Sequence, residues 1–207
     1  MKKNIFILLL ILIPIQGFSQ FEQYLQKDPQ PTTYRQRGLA FSMVELGAGI
    51  GAFIKWPLKN YWHIGMGFDG FMLRDSKEFN YIDIYGYPRT VNGDNNVYIL
   101  DFMFTVKKRL FAKDLDDNVR PFFAIGAGPI YGMNFPEYDT KPDGTKTRDQ
   151  YSLTLGGLIA AGIDANVSSK NFLGIRLQYR IIPFTETIGE RKDQSTFDLR
   201  LEVGQRF

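Results

Sequence analysis

The chain has 207 residues, and its 25 lysines and arginines against 22 acids give a formal charge of +3, too even a balance to mark a nucleic-acid binder. It contains no cysteine, which excludes disulfides, thiolate metal sites, cysteine nucleophiles and a lipid-bearing cysteine. Its 20 glycines, 18 phenylalanines and 11 tyrosines suit a β-rich chain with one domain.

Lys2 and Lys3 precede an apolar run from Ile5 to Ile15 and then small or polar residues, the three parts of a secretory leader. The run is about eleven residues, well short of the about 20 that a membrane helix needs. Residues 1–19 therefore read as a signal peptide, with the mature chain starting near Gln20. Its loss removes two lysines and no acid, which leaves a charge of about +1. Residues 20–37 form a lead segment, and 38–207 read as the folded domain.

Period-two alternation, the signature of a strand with two unlike faces, then runs through seven segments. In 44–56, Val44, Leu46, Ala48, Ile50, Ala52, Ile54 and Trp56 oppose Glu45, Gly47, Gly49, Gly51, Phe53 and Lys55. In 61–73, Trp62, Ile64, Met66, Phe68 and Met72 oppose His63, Gly65, Gly67, Asp69 and Phe71. Tyr98, Leu100, Phe102, Phe104 and Val106 oppose Asp101, Thr105, Lys107 and Arg109; next, Phe123, Ile125, Ala127 and Tyr131 oppose Arg120, Gly126, Gly128 and Gly132. Leu153, Leu155, Ile159 and Ile163 oppose Ser152, Thr154, Gly156, Gly162 and Asp164. Leu173, Ile175, Leu177, Tyr179 and Ile181 oppose Gly174, Arg176, Gln178 and Arg180, and finally Phe197, Leu199, Leu201 and Val203 oppose Asp198, Arg200, Glu202 and Arg206.

A soluble sandwich alternates too, so the period does not choose the solvent. The make-up of the polar parity does: glycines mixed with long side chains of both signs fit a narrow lumen filled by ion pairs, and leave the unbroken apolar parity for lipid. The expected fold is all-β, an antiparallel up-and-down transmembrane barrel with an even strand count, most simply eight. The missing strand is expected within 21–43, with 34–43 the best candidate; no turn signal separates 34–43 from Val44, so a long or bulged start of the strand at 44 is the alternative.

Several motifs have a plainer reading. GAGIGA at 47–52 matches a dinucleotide fingerprint, but FIKWPLKN after it is no helix. His63 and Asp69 invite an acid–base reading, yet six residues along one strand place them about 20 Å apart. With one histidine and no cysteine, no transition-metal cluster is expected, and no cofactor. DLDDN (114–118) and NGDNN (92–96) lack calcium-loop spacing and read as polar turns. The informative set is the lumen charge network: Glu45, Asp69, Asp101, Lys107, Arg109, Asp164, Arg176, Arg180, Asp198, Arg200, Glu202 and Arg206. Mixed signs favour paired charges that plug the barrel over a conduit.

With its leader, alternating strands and unequal connections, the chain resembles the small outer-membrane β-barrels of Gram-negative bacteria, of OmpA and OmpX architecture and Bacteroidetes type. In that family short turns are periplasmic and long loops external. PLKN (57–60), AKDLDDN (112–118) and VSSKN (167–171) would be the turns, and 74–96, 134–150 and 185–195 the loops. Trp56, Tyr61, Trp62, Phe111 and Phe172 flank the turns, where an aromatic girdle is expected. Leu199, Leu201, Val203 and Phe207 resemble the family's C-terminal assembly signal, although Gln205 stands where an aromatic is often found. The resemblance implies outer-membrane lipid and the barrel-assembly machinery as partners, and no catalytic residue. The functional expectation is a non-enzymatic envelope barrel whose Tyr-rich loop around 80–96 offers a contact surface. A secretion or transport component with its own partner, and a lipid-modifying enzyme using His63, are the alternatives.

Overall fold

The computed structural model describes residues 34–74, 79–91, 95–112, 115, 119–136, 148–168, 170–189 and 191–207. The expected leader and most of the lead segment lie outside them. So does DLDDN apart from Leu115 and, of NGDNN, the residues 92–94.

Strands dominate what is described, as the β-branched and aromatic alternation requires. In chain order they are β1 (Gln36–Val44), β2 (Gly47–Pro57), β3 (Trp62–Leu73), β4 (Phe79–Ile82), β5 (Pro88–Val91) and β6 (Asn95–Arg109). There follow β7 (Val119–Pro136), β8 (Gln150–Asn166), β9 (Asn171–Ile181), β10 (Pro183–Ile188), β11 (Arg191–Asp193) and β12 (Thr196–Arg206). Eight of them close an antiparallel barrel in the order β1-β12-β9-β8-β7-β6-β3-β2, while β4–β5 and β10–β11 are two-stranded hairpins of their own. A closed sheet leaves no backbone edge unpaired, the condition for a β-structure in hydrocarbon.

The strands are steeply staggered. From Gln36, successive cross-strand partners are Lys55, Gly65, Thr105, Gly126, Leu158, Arg180 and Thr196. Thr196 lies beyond the last β1 partner of β12, Asp198, so one circuit climbs past the far end of β1. Such stagger is what tilts strands in a barrel. One ladder is interrupted: Phe102 and Met103 have no β7 partner, opposite Gly128 and Pro129, because proline has no N–H to give.

The eighth strand is β1, and the turn that hides it is Glu45–Leu46. Val44 pairs with Gly47, so two residues close the hairpin. Hairpins of this length usually announce themselves with Asn-Gly or Gly at positive φ. Neither residue here has positive φ, so the turn carries no such chemistry. Two expectations are corrected by this. Val44 is buried at the end of β1 rather than on the outer face of β2, and Glu45 is exposed at the turn rather than in the lumen.

The connections β2–β3, β6–β7 and β8–β9 lie at one end with the starts of β1 and the end of β12; the long ones and the Glu45–Leu46 turn lie at the other. We call these the turn end and the loop end. Backbone bonds between Arg35 and Phe207 in both directions fasten the barrel seam at the turn end.

Candidate functional site

Alternation turns every second side chain of β9 and β12 inward, and the burial of β9 is a strict two-residue pattern. Arg176, Gln178 and Arg180 from β9 meet Asp198, Arg200 and Glu202 from β12, all at most 5% exposed. β3 adds Asp69, β6 adds Asp101 and Lys107, β8 adds Asp164 and β2 adds Lys55. The outward parity is apolar: Ile50, Phe68, Phe104, Leu155, Ile175, Leu177, Leu201 and Val203 are among the exposed large side chains.

The register places like charges directly opposite each other twice; one repulsion is cancelled from across the lumen, the other from within the same pair of strands. Asp69 faces Asp101 on β3 and β6. Arg180 reaches both, donating from Nη2 to Asp69 at 2.8 Å and from Nη1 to Asp101, while its Nε donates to Asp198 at 2.9 Å. Arg176 faces Arg200 on β9 and β12. Glu202 Oε1 accepts from both, from Arg200 Nε at 3.1 Å and from Arg176 Nη2. Arg200 Nη1 also donates to Asp69 at 2.5 Å, which joins the two groups into one chain of charges. Lys55 donates to Glu202 at 2.5 Å across β1, and Lys107 pairs with Asp164 across β7.

Five cations thus answer five carboxylates in this network. That balance matters because a lone ion in such a place is strongly destabilising, whereas a fully bonded one is tolerated. Aromatic rings line the cations as well: Arg180 lies 4.4 Å from the Phe71 ring centre, Lys55 4.3 Å from Phe53 and Lys107 4.0 Å from Phe122. Gly51 makes room for the network, since a Cβ there would fall on the Asp69 carboxylate.

Toward the loop end the lumen is mainly apolar, which the alternation did not show, with Asn134 and Ser152 among the buried polar exceptions. Val44, Phe71, Leu73, Val97, Ile99 and Ile130 join Ile182, Phe184 and Ile188 in one buried cluster. The last three belong to the connection after β9, whose β10–β11 hairpin folds into the barrel mouth. Thr154 Oγ1 donates to the Pro183 carbonyl at 2.6 Å, and the Gly189 N–H donates to Gln150 Oε1 at 2.8 Å. The Phe184 ring occupies the space a side chain at Gly132 would need. Of the connection 185–195, expected as an external loop, Ile188 is turned inward as part of this stopper. Among the ion pairs themselves, a cavity of about 20 Å³ bordered by Met66, Met103, Lys55, Asp69, Arg176 and Arg180 has room for about one water.

Of the expected charge set, Asp69, Asp101, Lys107, Asp164, Arg176, Arg180, Asp198, Arg200 and Glu202 meet in this network. Arg109 is buried nearer the turn end, and Arg206 is half-buried at the rim. Glu45 is absent from the lumen for the reason given above. Lys55 and Gln178 were missed as members, although both stand on the polar parity; Gln178 Nε2 donates to Asp198 at 2.5 Å. His63 is buried with Lys107 as its cross-strand neighbour and is not joined to Asp69, whose oxygens are taken by Arg180 and Arg200. Of the expected girdle, Trp62 and Phe111 are exposed at the turn end, but Phe172 is 1% exposed and packs inward, edge-on to Phe53 at 6.1 Å.

At the loop end, the β4–β5 hairpin presents Ile82, Ile84, Tyr85 and Tyr87 to solvent, with Ile84 93% exposed. The tip is a built turn: Asp83 Oδ1 accepts from the backbone N–H groups of Tyr85 and Tyr87, both at 2.9 Å, and Gly86 supplies the positive φ.

No family model matches the chain, and no curated protein is similar to it in sequence. The fold does have relatives among solved structures. The N-terminal β-barrel domain of Pseudomonas aeruginosa OprF superposes with a TM-score of 0.55 at 10% identity, covering 86% of this chain and 100% of that one. Neisserial surface protein A (NspA) superposes with a TM-score of 0.52 at 10% identity, covering 84% of this chain and 94% of its own. The architecture is that of a small eight-stranded outer-membrane β-barrel.

Proposed function

We propose that this chain is an integral outer-membrane barrel with a lumen closed to solutes, and that it acts through its surface rather than through a pore or a catalytic centre. The observation that carries the reading is Arg180, buried at mid-lumen and bonded to carboxylates of β3, β6 and β12 at once. A side chain tied to β3 and β6 across the lumen and to the neighbouring β12 blocks the path between them and braces the barrel against opening. The apolar stopper of Ile182, Phe184 and Ile188 closes the same path a second time.

In this reading the turn end faces the periplasm and the loop end the outside. Residues 1–19 direct export, and the outward row Leu199, Leu201, Val203 and Phe207 of β12 is what the assembly machinery engages. The external β4–β5 tip, held by its Asp83 turn, provides the contact surface: tyrosines give large contact area at small entropy loss. Purified protein in a planar lipid bilayer tests the closure. The expected record has no conductance steps; stepwise conductance from the wild-type barrel would refute the closed lumen.

A further inference from the structure

The closed lumen leaves one feature of the outer wall unused. Around the seam where β9, β12, β1 and β2 lie side by side, the wall is indented at the turn end by a groove of about 760 Å³. Leu39, Leu173 and Val203 flank it on the lipid-facing parity, and the small Ala52 beside Leu39 leaves it open. The apolar part ends on Arg37, whose guanidinium lies 4.9 Å from the Phe207 ring centre. Arg35 precedes it by one outward step, and Lys170 stands beside the seam, its carbonyl accepting from the Arg206 N–H. All three cations are exposed, and none forms an ion pair with another described residue. No Asp or Glu lines the groove.

On β6 the outward Lys108 also stands at the turn end, but it lies over the Trp62 ring at 4.8 Å and donates to the Asn60 carbonyl. At the seam a concave apolar slot ends on Arg37, with Arg35 two residues before it and Lys170 in the adjoining turn, at the turn end where headgroups begin in the proposed embedding. We infer that the slot holds one anionic phospholipid of the periplasmic leaflet, with an acyl chain against Leu39, Leu173 and Val203 and the phosphate at Arg37. A concave wall gives the chain dispersion contacts on more than one side. A guanidinium donates to phosphate oxygens in parallel pairs, and Arg35 and Lys170 add attraction for net negative charge. The inference rests on the barrel being membrane-embedded as proposed above.

The test is native mass spectrometry of the full barrel in mild detergent, titrated with phosphatidylglycerol or with phosphatidylethanolamine. The wild-type protein is expected to retain one phosphatidylglycerol in preference to phosphatidylethanolamine. Affinity for phosphatidylglycerol is expected to fall about fivefold for each of Arg35→Gln, Arg37→Gln and Lys170→Gln. Ala52→Phe, which fills the slot and leaves the charge alone, is expected to lower retention of both lipids. Heat-modifiable mobility on gels checks that each variant is folded, and the wild-type comparison of the two lipids stands without any variant. Equal retention of both lipids by the wild type, or unchanged retention in folded Arg37→Gln and Ala52→Phe, overturns the inference. Displacement of the lipid by inorganic phosphate alone also overturns it, because the groove would then contribute nothing. Each of these results is read on a folded barrel, so it leaves the membrane reading standing, whereas failure to enter detergent as a barrel would strike that reading first.

Discussion

Replacing Arg180 with methionine removes the central cation and keeps most of its length. Three carboxylates lose a donor, but they do not lose equally. Asp69 retains Arg200 Nη1 at 2.5 Å, and Asp198 retains Gln178 Nε2 at 2.5 Å. Asp101, 1% exposed, keeps no other donor among the described residues and becomes a stranded charge. Breaking a buried ion pair from one side typically costs about 3–5 kcal/mol, so Arg180→Met should lose about that much, most of it through Asp101. The assay is urea unfolding in lipid vesicles, followed by tryptophan fluorescence and by the folded gel band. Adding Asp101→Asn to Arg180→Met should restore most of the loss, whereas adding Asp198→Asn should restore little. A loss below about 1 kcal/mol in the single variant, the range of an exposed pair, would refute the reasoning. Equal rescue by both asparagines would refute the unequal sharing.

Gly51→Ala places a methyl group on the Asp69 carboxylate and should cost about 1–3 kcal/mol in the same unfolding assay, as overpacked interiors do. Leu201→Arg puts a cation on the outward face of β12; unfolding in vesicles should show a loss of about 2–4 kcal/mol if that position lies near the bilayer midplane. A neutral effect there would place Leu201 at an interface or in water rather than in the hydrocarbon core.

Most of the barrel was legible in the sequence because a strand between lipid and lumen writes its environment into alternate residues. β9 is the clearest case, with Leu173, Ile175, Leu177 and Tyr179 outward and Gly174, Arg176, Gln178 and Arg180 inward. The rule failed where both parities are apolar. Val97, Ile99 and Met103 of β6 point inward among aliphatic neighbours, so alternation has no contrast there. It failed again at Glu45–Leu46, a turn without glycine, asparagine or positive φ, which fused β1 to β2 on the page. Which charges would be inside followed from parity, but who bonds whom did not. Arg180 is separated from Asp69 and Asp101 by 111 and 79 residues, and only closure and stagger bring them to one level. Phe172 misled for a related reason: its closeness to a turn suggested a membrane interface, while its parity turns it inward onto Phe53.

The central claim is that the apolar parity meets hydrocarbon and the charged parity is enclosed. With no native cysteine, single cysteines along β9 can carry a nitroxide one at a time in the reconstituted barrel. Relaxation by oxygen, which concentrates in lipid, and by a water-soluble nickel chelate then reports the surroundings of each label. Labels at Leu173, Ile175, Leu177 and Tyr179 should be reached by oxygen and shielded from nickel, with both reagents excluded at Arg176 and Gln178 between them. Nickel access at the leucine positions, or nickel access equal to bulk water at Arg176 and Gln178, would contradict the account.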